Sequence, residues 1–189
     1  MPYDPKFHHR HSFRWKGYDY SSRGIYFLTI CTQNRIPFLS RIENRRTVLT
    51  GLGKIVHVAW SAIPDRFPEI EVGPFVVMPN HIHGILANVG HIGVGTKLRK
   101  EGAASSAPTL GTIIRAFKSV SAIGVKRQSG TLGGQVWQRN YYEHVIRDGK
   151  EYGIISRYIW ENPARWEFDP DNLASKIPDR NLPWKLHQS

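Results

Sequence analysis

The stretch Met78-Pro79-Asn80-His81-Ile82-His83-Gly84 carries the residue types in this chain best suited to chemistry. On a strand, residues two apart point to the same face, so His81 and His83 would stand side by side while Ile82 turns into the core. Two neutral imidazoles so placed can share one divalent ion; the alternative is a pair of half-buried histidines bonded to local groups. His9-Arg10-His11 repeats the spacing, but in an unpatterned stretch with a charge between, and is set aside. Farther along, Tyr158 and Asn162 are four residues apart, which stacks them on one helical face just before Pro163 closes the helix. Docked beside the two imidazoles, they would offer a phenol nucleophile and an amide oxygen as a third metal ligand. Tyr152, about 600° around the helix from Tyr158, is assigned to packing. His144, in Tyr-Glu-His, is open to two readings, a contribution to the site or a hydrogen bond within its strand.

These residues need elements to position them. Residues 24–32 (GIYFLTICT) are β-branched and aromatic and read as a buried strand. From about residue 46 to 63, Val48, Leu52, Ile55, Ala59 and Ile63 recur at helical spacing and Pro64 ends the pattern, although Gly51 and Gly53 weaken its first turn. Two apolar runs, 75–78 and 82–87, read as strands joined by a tight turn at Pro79-Asn80. Residues 88–109 are rich in Gly, Ser and Ala and are expected to form a mobile insertion. A second helix begins at Leu110, with Ile113, Ile114, Phe117 and Val120 on its apolar side and Arg115 and Lys118 on the other. Residues 136–146 have strand composition, and a third helix spans about 150–160. The order strand, helix, strand, strand, helix, strand, helix predicts an α+β fold of ferredoxin-like or RRM-like plan: an antiparallel sheet with helices on one face and a further helix carrying Tyr158. A single domain over residues 1–189 is expected, with a basic arm at 1–22 and a surface tail at 167–189.

The 189 residues include 26 Lys+Arg against 15 Asp+Glu, a net charge of 26 − 15 = +11. Such an excess points to a polyanionic partner, because each Lys or Arg set against a phosphate releases counterions. Arg10, Arg14, Lys16, Arg115, Lys118, Lys126, Arg127, Arg139 and Arg147 are the candidate phosphate contacts, with Trp15, Tyr18 and Trp137 available to stack on bases. One cysteine, Cys31, excludes an internal disulfide and a thiolate zinc finger. No run approaches the ~18 apolar residues of a membrane span, and the first residues do not resemble a secretory signal. A soluble cytoplasmic protein, nucleoid-associated and with no membrane partner, is expected.

MPNHIHGIL resembles the His-hydrophobic-His strand of the HUH endonucleases. WQRNYYEHVIRDGKEYGIISRYIWENPARW and KGYDYSSRGIYFLTICT resemble the tyrosine helix, with its preceding strand, and the opening strand of REP-associated tyrosine transposases, relatives of the insertion-sequence single-strand transposases. The likeness runs from residue 16 to 166. It implies Tyr158 as nucleophile and His81, His83 and Asn162 as ligands of Mg²⁺ or Mn²⁺; related transposases often have Gln where Asn162 stands, and the shorter amide is similar to the REP-associated branch. It further implies single-strand endonuclease and strand-transfer activity through a covalent 5′-phosphotyrosine. The implied substrate is a DNA hairpin with a single-stranded flank, and the implied state is a monomer or homodimer. Two other classes compete. A catalytically idle RRM-like binder of structured DNA or RNA would bind without cutting, and a metallohydrolase using water would turn over without a covalent adduct.

Overall fold

The structure is a computed structural model that describes residues 24–90, 108–130 and 133–175. The 1–22 arm, with Arg10, Arg14, Lys16, Trp15 and Tyr18, lies outside them, as does most of the 88–109 stretch. In chain order come β1 (Gly24–Cys31), a hairpin of β2 (Ser40–Glu43) and β3 (Arg46–Leu49), α1 (Gly51–Ser61), the single turn α2 (Ile63–Arg66), β4 (Ile70–Val77), β5 (His81–Asn88), α3 (Leu110–Ser129), β6 (Tyr142–Ile146) and α4 (Gly149–Glu161). A 3-10 segment, Asn162–Phe168, continues from α4.

The four long strands form one sheet in the order β4-β5-β1-β6, and every neighbouring pair is antiparallel. With the β2–β3 hairpin set aside, βαββαβ in this strand order is the ferredoxin-like plan expected from the sequence. The sheet has two covered faces. Along β1 and β5, alternate residues Tyr26, Leu28, Ile30, Ile82 and Leu86 face a core shared with α1 and α3, including Trp60 and Phe117. The other residues, among them Phe27 and Ile85, face Ile155 and Ile159 of α4. Helices therefore cover both faces, with α4 and the 3-10 segment that follows it opposite the α1/α3 layer.

Local chemistry sets the element ends. Thr50 caps α1 by accepting the Gly53 N–H at 3.0 Å. Gly53 is required there, since a Cβ would lie 1.8 Å from the Leu39 carbonyl oxygen. Thr109 caps α3, and Gly130 closes it in the left-handed region at φ 61°. At the start of α4, the N-cap Asp148 accepts the Glu151 N–H through Oδ1 at 2.8 Å while Glu151 Oε2 accepts the Arg147 N–H at 2.8 Å, so two side chains satisfy two donors at the helix entry.

Several boundaries differ from the sequence reading. Residues 46–49 are strand, because Val48 pairs across the hairpin with Arg41 and the helix starts only after the Thr50 cap. Of residues 136–146, only Tyr142–Ile146 pairs as a strand; Trp137 makes an isolated bridge to Thr32 and buries its indole, whose N–H donates to Ser121 Oγ at 2.9 Å. It is a core residue and not a surface for stacking bases. Val120 is exposed, not core. Ordered elements also reach into both ends of the expected insertion, since Asn88 is the buried last residue of β5 and Thr109 is a helix cap.

Candidate active site

The turn at Pro79-Asn80 places His81 and His83 at the start of β5, on the face covered by α4. Both imidazoles are buried, their ring centroids 4.3 Å apart. Each has its Nδ1 engaged: His81 with Asn80 Oδ1 at 2.8 Å and His83 with Thr29 Oγ1 at 2.9 Å. If Nδ1–H is the donor in each bond, as an amide oxygen requires of His81, both Nε2 atoms carry lone pairs into the same space. Burial pushes the pKa of His81 down to about 4 and, helped by the neighbouring imidazole, that of His83 to about 3. Both are neutral near pH 7, the state in which imidazole binds a metal.

The α4 helix brings Tyr158 to this pair. Its hydroxyl lies 3.4 Å from His83 Nε2, and its ring packs edge-on against Phe27 with centroids 6.1 Å apart. Burial, with the Asp169 and Asp171 carboxylates nearby, raises the phenol's pKa above its usual value. One turn on, Asn162 is buried and close enough to Tyr158 and Asp169 to lower the pKa of each. Tyr152 packs in the same apolar cluster, and its hydroxyl lies toward Gly73 of β4. His144 bonds Glu151 Oε1 at 2.7 Å, a structural bond, but one that ties β6 to the first turn of α4 and does not lie within its strand.

Sequence reasoning assigned residues 167–189 to a surface tail, yet Asp169 is buried beside the histidines. Its Oδ2 is 3.8 Å from His81 Nε2 and 4.0 Å from His83 Nε2. No periodicity marks this residue; the only local signal is an Asp-Pro-Asp-Asn turn composition. Asn80 and Thr29, which orient the imidazoles, likewise carry no signal in the sequence beyond that of a turn and a strand residue.

The residues present fit a divalent ion. His81 Nε2, Asp169 Oδ2 and Asn162 Oδ1 are buried polar atoms with no hydrogen-bond partner among the described residues. Each such orphan costs about 1–3 kcal/mol unless something satisfies it. All three can act as electron-pair donors, and nitrogen with carboxylate or amide oxygen suits Mg²⁺, Mn²⁺ or related ions. Cys31 sits across from His81 in the β1–β5 register but is not a ligand of the same kind, because burial holds its thiol pKa up at about 12.

Among the predicted phosphate contacts, Arg139 and Arg147 are exposed and flank the edge strand β6. Arg115 is exposed on α3, in the layer on the other side of the sheet from the histidines. Lys118 is half-buried and engaged within the protein. Its ammonium donates to the carbonyls of Gln138, Arg139 and Asn140 at 2.9, 3.3 and 3.1 Å and lies 5.2 Å over the Tyr141 ring. Burial lowers its pKa to about 8. No helix among the described residues is long and apolar enough to cross a membrane.

No protein-family model matches the chain. It is 40% identical over 173 residues to an uncharacterized protein of Haemophilus influenzae, an alignment covering 88% of this chain and 95% of that one. To a putative REP-associated tyrosine transposase of the same organism it is 25% identical over 150 residues, covering 78% of this chain and 74% of the other. Its fold matches the solved structure of a REP-associated tyrosine transposase bound to a REP hairpin, with a TM-score of 0.54 at 21% identity, over 81% of this chain and 74% of that one. The chain therefore belongs to one family with the uncharacterized Haemophilus influenzae protein, and its likeness, in sequence and in fold, is to the REP-associated tyrosine transposases.

Proposed function

We propose that the protein is a metal-dependent single-strand DNA endonuclease and strand transferase of transposase type, with Tyr158 as its nucleophile. One observation carries this reading: the Tyr158 hydroxyl stands 3.4 Å from His83 Nε2, beside a buried pair of neutral imidazoles whose Nδ1 atoms are both engaged. Its relatives add support, since a similar fold occurs in a transposase bound to a REP hairpin. His81, His83 and Asn162 would hold Mg²⁺ or Mn²⁺. When bound, the ion would supply positive charge that polarises the scissile phosphate and offsets the burial and nearby carboxylates that keep the phenol protonated.

The chain's own residues do the rest. Phe27 and the apolar side of α4 hold the Tyr158 ring in one orientation, so its oxygen approaches phosphorus with little rotational freedom to lose. The Tyr158 Oη–P bond forms as the P–O3′ bond breaks. The phenol gives up its proton, the departing oxygen gains one, and the products are a 5′-phosphotyrosine and a free 3′-hydroxyl. The covalent link conserves the phosphodiester energy, so a later attack by a 3′-hydroxyl on the same phosphorus rejoins DNA and restores the tyrosine. DNA is the proposed partner, with Arg139, Arg147 and Arg115 at the backbone and Arg10, Arg14 and Lys16 of the arm adding charge. One catalytic unit over residues 1–189 would both hold and cut the hairpin.

The test is a labelled hairpin with a single-stranded flank, incubated with protein and Mn²⁺. An adduct that survives denaturation is expected, and it vanishes in Tyr158→Phe. Persistence of the adduct in that variant would overturn the assignment, and salt-sensitive binding without any adduct would favour the idle binder.

A further inference from the structure

We propose that Asp169 is an additional, anionic ligand of the metal centre, and that Asn80 locks the turn carrying it to the histidine strand. The inference rests on the reading that the histidine pair holds a divalent ion, and it adds a ligand from outside the strand and helix that the sequence motifs define.

Asp169 uses its two oxygens differently. Oδ1 accepts the Asp171 N–H at 2.6 Å, and a backbone bond from Asp169 N to Trp166 O at 3.2 Å fixes the start of the turn. Oδ2 has no hydrogen-bond partner among the described residues and faces His81 Nε2 and His83 Nε2 at 3.8 and 4.0 Å. His81 donates its Nδ1–H to an amide oxygen, so its Nε2 is an acceptor like Asp169 Oδ2, and His83 Nε2 joins them in the tautomer that donates Nδ1–H to Thr29. No hydrogen bond can join them at these separations. A cation about 2 Å from each ligand atom spans such a gap. The three side chains form a compact donor group, all buried, with their ligand atoms within 4.8 Å of one another.

The turn is held from the strand side. Asn80 is 2% exposed and uses both amide hydrogens and its oxygen. Its Nδ2 donates to the carbonyls of Asp171 at 2.8 Å and Arg35 at 3.1 Å, while Oδ1 accepts from His81 Nδ1 at 2.8 Å. Arg35 also pairs with the Asp171 carboxylate at 2.9 Å. The residue that orients one imidazole therefore also anchors the turn that presents the carboxylate. Metal binding and docking of residues 169–175 become one coupled event.

The experiment uses the full chain and Mn²⁺ alone, with free Mn²⁺ followed by electron paramagnetic resonance and amide exchange measured over residues 169–175. Asp169→Asn keeps the side-chain shape and the Oδ1 acceptor, so the turn persists. It is expected to weaken Mn²⁺ binding at least about tenfold, and His81→Ala by at least as much. Mn²⁺ should slow amide exchange in residues 169–175 of the wild type and fail to do so in Asp169→Asn and Asn80→Ala. Unchanged or tighter Mn²⁺ binding in Asp169→Asn, with binding lost in His81→Ala, would overturn the ligand role while leaving the histidine site standing. No Mn²⁺ binding by the wild type would overturn the metal reading itself.

Discussion

The two faces of the central sheet are built from the same two strands and do different work. On the α1/α3 side, Leu28, Ile30, Ile82 and Leu86 meet Trp60 and Phe117 in an apolar core. On the α4 side, the alternating partners in β1 and β5 include Thr29, His83 and His81, embedded beside a smaller apolar cluster. The difference is one of alternation: each strand spends one set of side chains on stability and the other on polar chemistry. Orphaned polar atoms can be carried on the α4 face because the opposite face supplies most of the burial.

Four substitutions would break or sharpen that comparison. The largest functional effect is expected for Tyr158→Phe, which removes one oxygen from the α4 side: the covalent adduct is lost while the thermal midpoint stays near wild type, measured by denaturing electrophoresis and calorimetry. On the other face, Trp60→Ala should do the reverse. Truncating a fully buried indole costs about 3–5 kcal/mol, and the surviving folded fraction should form adduct normally in a denaturation-corrected assay.

Gly84 connects the two faces, because it follows His83 but points at Trp60. A Cβ there would lie 2.6 Å from Trp60 Cζ2 and 3.0 Å from Phe75 Cβ. Gly84→Ala is expected to destabilise by about 1–3 kcal/mol through overpacking and also to slow adduct formation by displacing β5; an unaltered rate would show that the faces are mechanically independent. The smallest effect belongs to Thr29→Val, which deletes the partner of His83 Nδ1. Mn²⁺ affinity should fall roughly tenfold with a stability loss of about 1 kcal/mol. Titration calorimetry alongside thermal melts separates the two quantities.

Much of the fold was legible because its signals are local. The β1, β4 and β5 strands appear as β-branched and aromatic runs, and α3 and α4 as 3.6-residue periodicities. The β2–β3 hairpin was not legible: Val48 happens to fall four residues before Leu52, so the helical period ran back through a strand until the Thr50 cap corrected it. Lys118 and Trp137 gain partners that their residue types do not announce, for a related reason. Residue type marks one as a phosphate contact and the other as a base-stacking platform, but the loop that precedes β6 brings carbonyls to the ammonium and carries the indole to Ser121 of α3.

The amino-acid sequence by itself determined which side chains share a face: His81 with His83 through the two-residue repeat of a strand, and Tyr158 with Asn162 through the four-residue repeat of a helix. Those relations follow from backbone geometry and need no partner. Tertiary structure alone decided that the two pairs meet, that the imidazoles are neutral through burial, and that Asp169 lies beside them. The physical reason is range. Periodicity orders neighbours within one element, whereas the approach of α4 and of the turn after it depends on the long-range packing of Phe27, Ile155 and Ile159 and on the bonds of Asn80.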